Sequence, residues 1–544
     1  MREVRHKKIE VKENLIDRAV NYFSPRRGAQ RMRARYAMAL ANAYHGASKK
    51  RRSLSEWSPS AGDADTDIIA ELPDLRERSR DLVRNNPLAC GAINTKCTSV
   101  VGTGLKLKSR IDRNILNMTE DQADAWEKRT EAEWRLWASS KDCDVSGAQN
   151  FAGIQDLSFR STLENGDVFI LTPSKKDRLR TYSLQLQLIE ADRVCNKDNG
   201  QDTDTLAGGI QKDNNGKPKQ YHILKGHPGN IYSKNNKWIT VPAYGAKTGR
   251  KNVLHLFRKL RVGQSRGVPD LAPVIETLKQ LGRYTQAEVD ASVISAFFTV
   301  FIKSEYHAGM APMQPTTETG GKTTDKDYKM APGAILDLLP NEDISTANPG
   351  RPNQSFDGFV LAISRQIGVA LELPFEILVK HFTASYSAAR AALLEAWRFY
   401  MGRRKWLEDH LCNPVYELWM TEAVALGRIA APGFLQDPLI RMAYLGAEWT
   451  GPSKGQIDEL KEVNAAEKRL QLTLTTHSEE TAALTGGDWE QKFPQRAREE
   501  QMKKEANIGQ AGKPVPQDEQ KIKEPEDKEE DLDSDLEDEK NARS

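Results

Sequence analysis

Apolar residues recur at helical spacing in several stretches of this chain and at alternating spacing in one, with polar runs between them. Leu75, Leu82 and Val83 stand among Arg and Asp and predict a helix over residues 73–90. Val100-Val101-Gly102-Thr103-Gly104-Leu105 reads as a strand entering a turn. Residues 119–138 predict a second helix carrying Trp126, Trp134 and Trp137. From about Asp167 to Val241 the pattern changes to strands. Asp167-Val168-Phe169-Ile170-Leu171 is one, and Leu184 to Ile189 alternates Leu with Gln and Ser, the period of a half-buried strand. Asn214-Asn215-Gly216 lies between Gly209-Ile210 and Tyr221-His222-Ile223 and predicts a hairpin, because Asn-Gly supplies the positive φ angles of a tight turn.

A strand over Asn252 to Phe257 leads toward a long helix. Leu271, Val274, Ile275, Leu278 and Leu281 keep helical spacing, and the pattern continues through Val289, Val293, Phe297 and Phe298. From Val268 to Phe301 such a helix would extend about 50 Å. Residues 304–356 turn rich in Gly, Pro, Thr, Lys and Asp, with an apolar island at Ala334 to Leu339. Helical pattern resumes from Phe356 to Ala370, breaks at Glu372-Leu373-Pro374, and returns from about Ser385 with Leu393, Trp397, Tyr400 and Leu407 on one side. Pro414 predicts a kink or an end there, and Gln456 to Leu472 predicts a further helix. A polar excursion and a polar loop thus interrupt one helical shaft.

At 544 residues the chain exceeds one ordinary core, so two to four domains are expected. No run reaches the ~18 apolar residues of a membrane span; the best candidate, Ala291 to Ile302, fits a buried helix segment better. Five cysteines, Cys90, Cys97, Cys143, Cys195 and Cys412, form no C-x-x-C pair, which argues against a disulfide framework or a thiolate zinc site. The first residues lack the apolar region of a secretory signal, so folding in a cytosol is expected. The net charge of +3 conceals two poles. Residues 1–53 hold 15 Lys+Arg against 4 Asp+Glu, and residues 518–540 hold 13 Asp+Glu against 4 Lys+Arg. The basic end can neutralise phosphates or simply serve as a solvated arm. The acidic end, from about Asn507, has too few apolar residues to order itself.

Candidate chemistry is sparse. Gly263-Gln264-Ser265-Arg266-Gly267 fits the nucleophile elbow G-x-S-x-G, between a strand and a helix as that motif demands. A serine hydrolase would need a carboxylate and a histidine to activate Ser265; His307, His381, His410 and His477 follow it without a supporting motif. Two fixed glycines in five residues arise easily by chance, and a plain strand-to-helix turn is the competing reading. Gly321-Lys322-Thr323 resembles the end of a phosphate loop, but Thr316 stands where the first glycine belongs. Gly102-x-Gly104 lacks the third glycine of a dinucleotide motif. Asp437 with Glu459-Leu460-Lys461 resembles a nuclease metal set, although Glu459 and Lys461 read as a solvated helix face. The nine histidines show no metal-ligand spacing. No cofactor, metal or catalytic residue is expected.

Several segments carry a resemblance in a fixed order. They are Tyr44-His45-Gly46-Ala47, Leu54-Ser55-Glu56-Trp57, Leu75 to Pro87, Val100 to Gly104, Glu164-Asn165-Gly166-Asp167-Val168-Phe169 and Ile189-Glu190-Ala191-Asp192-Arg193. Then come His255-Leu256-Phe257-Arg258, Gly263 to Pro269, Ser385-Tyr386-Ser387-Ala388-Ala389-Arg390 and Ala447 to Pro452. Over roughly residues 20–505 the chain resembles the lambda-type family of bacteriophage portal proteins. It departs at Val262 and Glu459, where the family tends to have Pro.

The resemblance implies an α+β, portal-type subunit with a mixed α/β wing, long stem helices, a small clip and a mainly helical tunnel and crown region. The implied parts are a basic arm 1–55, wing 56–267, stem helix 268–303, clip 304–355, returning stem helix 356–375, tunnel loop 376–387, tunnel helix 388–428, wing return and crown 429–506 and a disordered acidic tail 507–544. It implies a ring of about twelve subunits at one capsid vertex of the virion, assembled in the host cytoplasm, that lets double-stranded DNA in and out. The implied partners are the terminase large subunit, the major capsid and scaffold proteins and a head-tail completion protein, with no membrane. Lys380, His381, Thr383 and Ser385 would lie nearest DNA in the tunnel loop, and Lys322, Lys326, Asp327 and Lys329 would meet terminase or adaptor from the clip. A body of zero net charge between the two poles suits a channel in which DNA must move. A serine hydrolase at Ser265 and a DNA-binding capsid scaffold without a channel are the alternatives.

Overall fold

The computed structural model describes residues 14–40, 52–59, 61–232, 237–296, 300–304, 342–346, 355–382, 385–455 and 458–506. Helices α1 (Leu15–Phe23) and α2 (Pro25–Leu40) come first, then α3 (Ala64–Ile68), α4 (Leu72–Asn85), α5 (Pro87–Val100), β1 (Lys106–Ser109), α6 (Glu120–Ser139) and α7 (Phe151–Asn165). The strand-rich stretch comprises β2 (Asp167–Leu171), β3 (Gln187–Glu190), β4 (Leu206–Ala207), β5 (Ile210–Lys212), β6 (Pro218–Leu224), β7 (Trp238–Pro242) and β8 (Val253–Phe257). There follow α8 (Ile275–Ala296), β9 (Val300–Ser304), β10 (Glu342–Thr346), α9 (Phe356–Ala370), α10 (Phe375–Val379), α11 (Tyr386–Leu407), α12 (Asn413–Ala425), α13 (Pro438–Tyr444) and β11 (Ala447–Thr450). Helices α14 (Glu459–Gln471), α15 (His477–Thr485) and α16 (Trp489–Glu505) close the described chain. The fold is a mixture of helix and antiparallel sheet.

The sheets are small. β2 lies between β3 and β8, β4 to β7 form a four-stranded meander, and β1 with β11 and β9 with β10 form two-stranded pairs. Strand β2 is buried along both faces, which explains its unbroken Val-Phe-Ile-Leu run. Successive side chains point to opposite faces of a strand. Val168 and Ile170 therefore enter the large core with the helices, and Phe169 enters a second core with Ile210, Tyr221 and Ile223. The large core centres on Trp134 of α6, whose ring lies 5.0 Å from Trp137, 5.3 Å from Phe151, 5.6 Å from Tyr416, 5.2 Å from Trp419 and 5.8 Å from Trp449. Residues more than three hundred positions apart thus share one aromatic cluster.

Most expected elements are present, with instructive differences. Helix α6 begins at a Thr119–Gln122 capping box, as its pattern predicts. The Asn-Gly hairpin joins β5 to β6 with Gly216 at φ 80°. The helix expected over 73–90 is two helices, because Pro87 has no N–H to continue α4, and Asn86 caps α5 instead. Residues 100–105 are the end of α5 and a turn through Gly102 and Gly104, both at positive φ, so the strand starts only at Lys106. Leu184 and Leu186 are buried as the alternation predicts, although regular pairing starts at Gln187. The long helix α8 has 22 residues, about 33 Å rather than 50 Å. The chain before it passes Pro269 and Pro273 in tight turns, and strand β9 begins at Val300. The stretch 291–302 therefore holds the end of α8 and the start of β9, with residues 297–299 outside the described residues, and Val293 within it and Val289 just before it are exposed rather than buried.

Helix α11 ends at Leu407, ahead of Pro414, and Pro414 opens the next helix rather than closing this one. The turn Glu408–Cys412 widens to a π-helix in which the Asn413 N–H reaches the Glu408 carbonyl, and α12 starts with Pro414 in its first turn. A proline is tolerated there because first-turn N–H groups have no helical partner. No described helix is long and apolar enough to cross a membrane.

Candidate functional site: the loop after α10 and two buried polar joints

The chain between α10 and α11, described at residues 380–382 and 385 and exposed at each of them, is held at both ends by local capping. Helix α9 stops where Leu373 N donates to the Gly368 carbonyl at 2.9 Å and Glu372 adopts φ 57°. A Cβ on Gly368 would lie 2.7 Å from the Leu373 oxygen, so only glycine permits this return. The short helix α10 then ends at Lys380 in the left-handed conformation, with His381 N donating to the Glu376 carbonyl at 3.1 Å. Ser385 caps α11 by accepting from Ala388 N at 3.4 Å. Lys380, His381 and Ser385 are all exposed. Thr383 lies outside the described residues, as do Lys322, Lys326, Asp327, Lys329, the Ala334–Leu339 island, and the acidic tail. Of the sequence-predicted site residues, only Lys380, His381 and Ser385 can therefore be placed, and they share one exposed segment.

The described chain also contains two buried polar joints; Arg76, Asp167, His255 and Arg266 of the first fall in segments that carry the family resemblance, but no role was expected of them. The first centres on Asp167, at the start of β2. Its carboxylate accepts from Arg76 at 3.0 Å, from Arg266 at 2.6 and 3.3 Å, and from Gly267 N at 3.2 Å, and His255 Nε2 lies at 3.2 Å. Arg266 spends its remaining donors on the carbonyls of Val194, Gly208 and Ala191, and its guanidinium lies over the Phe169 ring. Gly166 and Gly267 bring the two segments together: a Cβ on Gly267 would lie 2.0 Å from the Gly166 oxygen. Burial alone would raise the Asp167 carboxyl, but Arg266 and Arg76 overcome it and hold the group ionised, below the usual carboxylate range. Burial outweighs the Asp167 hydrogen bond at His255 and depresses its pKa, so the ring stays neutral, stacked between Phe169 and Phe257.

The second joint gathers three helical segments around Asp270, which precedes α8. Lys96 of α5 donates to it at 2.5 Å and Arg403 of α11 at 2.8 Å. Both cations lie over the Phe399 ring. The Lys96 side chain is 1% exposed. Burial would raise the Asp270 carboxyl, and Lys96 and Arg403 overcome this to hold it down. The neighbouring Arg404 donates to the carbonyls of Val100, Ser99 and Pro452, tying α11 to the end of α5 and to the chain after β11. Sequence offered one signal for this joint: Lys96 is the only charged residue of α5.

These joints set a pH dependence. Asp167 and Asp270 are held below the unfolded value of about 3.9, so their stabilisation is complete above that pH and is lost as pH falls through the lower folded values. His255 acts earlier, since unfolded imidazole takes up a proton from about pH 6.5 downward and the buried ring resists it. The melting temperature is expected to decline gently below about pH 6.5 and steeply below about pH 4. A scanning-calorimetry series that stayed flat from pH 7 to pH 3 would contradict this.

The other candidate motifs have structural roles. Ser265 Oγ donates to Asp65 Oδ2 at 2.6 Å and accepts from Lys212 Nζ at 2.8 Å, while Lys212 is itself paired with Asp65 at 2.9 Å. The elbow serine thus pins α3 to β5; its neighbour is an ion-paired lysine rather than the histidine that a triad needs. Asp437 caps α13, Asp458 caps α14, and Glu459 lies in the first turn of α14. Among the described residues, Glu190, Asp192 and His227 bring three possible metal-ligand atoms within 4.8 Å. Arg80 already bridges both carboxylates there and supplies the positive charge.

Residues 50–404 match the family described as phage portal protein, lambda family. Portal protein B of Escherichia phage lambda is 25% identical over 476 residues, covering 84% of this chain and 88% of that protein. The portal protein of Escherichia phage N15 is also 25% identical, covering 84% of this chain and 89% of that protein. Among solved structures, the neck of a native GTA particle computed with C12 symmetry is 13% identical with a TM-score of 0.40, covering 77% of this chain and 94% of that one. The matched region runs from before α3 to Arg404 and contains both buried joints together with Lys380, His381 and Ser385, and the chain belongs to the lambda family of phage portal proteins.

Proposed function

We propose that the chain forms a twelve-subunit ring at one vertex of the phage capsid, through which double-stranded DNA is packaged and ejected. The family match over residues 50–404 carries this reading. The surface of the paired helices supports it. Helices α8 and α9 pack through Tyr284 against Phe356 and Phe359, yet Val289, Val293, Leu361 and Val369 remain exposed on them. Exposed apolar faces of this kind mark interaction surfaces, and a ring supplies a neighbour on each side.

In this reading residues 56–267 form the wing, 268–303 and 356–375 the stem helices, 304–355 the clip, 376–387 the tunnel loop, 388–428 the tunnel helix and 429–506 the wing return and crown. Residues 1–55 are the basic arm and 507–544 the acidic tail. The clip meets the terminase large subunit and later the head-tail completion protein through Lys322, Lys326, Asp327 and Lys329. Capsid and scaffold proteins surround the wing, assembly takes place in the host cytoplasm, and the chain catalyses no reaction. Negative-stain microscopy of the purified protein tests the ring: twelve-fold particles with a central hole are expected, and a stable monomer contradicts it.

In this reading Lys380, His381, Thr383 and Ser385 are the tunnel-loop residues that lie nearest DNA. Replacing Lys380 and His381 together by Ala is expected to leave rings intact, since both side chains are exposed, and to lower packaged DNA per head. Wild-type DNA content in the double variant would remove the assignment.

A further inference from the structure

The hairpin of α1 and α2 carries a charged surface with no part in the joints or the exposed segment described above. Residues 14–40 hold six arginines against one aspartate. That aspartate, Asp17, is buried. It closes a capping box with Asn14 and takes Arg31 at 2.8 Å and also Arg35. Gly28 sits against Asn21, where a Cβ would lie within 2.8 Å of the Asn21 Cα, so the two helices approach closely. They pack chiefly on each other. Two arginines and the aspartate therefore lock a small rigid unit, and the rest of the charge is left outside it.

The helical period sorts the remaining side chains. Gly28, Met32 and Arg35 repeat at four and three residues and face α1. Arg26 and Arg33, seven residues apart, lie on the opposite side with Arg27 beside them, and all three are exposed. Helix α2 contains no carboxylate, and Arg26, Arg27 and Arg33 form no ion pair among the described residues. On α1, Leu15, Ile16, Tyr22 and Phe23 form an exposed apolar stripe, with Phe23 84% exposed. A helix that lies in a membrane surface joins its apolar and basic faces on one helix. Here the apolar stripe of α1 has only Arg18 beside it, while the three-arginine face belongs to α2 and is bordered by Ala29, Gln30 and Ala34.

We propose that the Arg26–Arg27–Arg33 face is a second DNA-binding surface, separate from the channel, that engages the phosphate backbone of a duplex without reading its sequence. Arginine forks match phosphate oxygens, and each phosphate neutralised releases condensed counterions from the duplex. The locked hairpin holds the three side chains on one face before binding, which lowers the ordering cost.

Covalently closed circular DNA separates this surface from the channel, because a closed circle cannot thread a closed ring. Full-length protein is titrated onto relaxed closed-circular plasmid at several NaCl concentrations. Wild type is expected to bind with a steep salt dependence. The variant R26A/R27A/R33A is expected to lower the slope of log K against log salt by at least about 2.7, and affinity at 0.1 M salt on the order of 100-fold. R26K/R27K/R33K, which keeps the charge, should retain the slope. Absence of binding to closed circles, or an alanine variant with the wild-type slope, overturns the proposal whether or not the protein forms rings. Binding to phosphatidylserine vesicles in place of the plasmid, lost in the alanine variant, would make the face a membrane contact and overturn it equally.

Discussion

Replacing Asp167 by alanine is expected to destabilise the protein by about 3–5 kcal/mol, the usual cost of stranding a buried charge by removing its partner. The carboxylate is fully buried and faces two arginines, a histidine and a backbone N–H. Its removal leaves Arg76 and Arg266 close together with no anion between them, and Arg266 has no exit to solvent because its other donors are committed to three carbonyls. Asp167→Asn keeps the shape and loses the charge, so it should recover only part of the loss. The measurement is the urea midpoint of purified protein, with limited proteolysis reporting whether β2 and the 263–267 turn open first. A shift of less than about 1 kcal/mol for Asp167→Ala would show that the ion cluster is not what holds this joint.

The second large effect is asymmetric. Asp270→Asn leaves two cations, Lys96 and Arg403, facing each other over Phe399. It should again cost about 3–5 kcal/mol. Lys96→Met removes one of the two cations, keeps the Asp270–Arg403 pair, and places a flexible apolar chain in a buried slot. Well-packed apolar replacement of buried charge is often nearly neutral, so a change of about 1 kcal/mol or less is expected. Equal losses for the two variants would contradict the view that Asp270 is the centre of this joint. Because Arg403 ties α11 to Asp270 and through it to Lys96 of α5, Asp270→Asn should also lower hydrogen-exchange protection along α11, whose N-terminal cap is Ser385. The double variant in the exposed segment should leave that protection unchanged.

Helices were legible where one face was apolar over the whole element, as in α6 and α9, β2 by its unbroken apolar run, and the β5–β6 hairpin by its Asn-Gly turn. Boundaries failed at Pro87 and Pro269, and at Pro414 the interruption of the helix falls a turn earlier, because a proline's effect depends on where it falls in a turn. Pro87 and Pro414 sit in first turns and start helices rather than ending them. The exposed segment was legible as a polar break between helical patterns, although neither Lys380, which opens it, nor Glu372, which precedes α10, is a glycine that would announce its left-handed backbone. The elbow serine was misleading because G-x-S-x-G is satisfied by two glycines needed for backbone geometry: Gly263 at φ 85° and Gly267 against Gly166.

The sequence by itself determined the alternation of elements, the neutral body between a basic and an acidic pole, and the family, because each depends on residue order and on neighbours within a few positions. Only the tertiary structure decided which charges are buried and paired. Arg76 meets Asp167, Lys96 meets Asp270, and Arg404 meets Val100 across separations of 91, 174 and 304 residues. An Asp in a sequence is a solvated charge or the centre of a joint according to the dielectric around it and the cations that reach it, and both are properties of the folded chain.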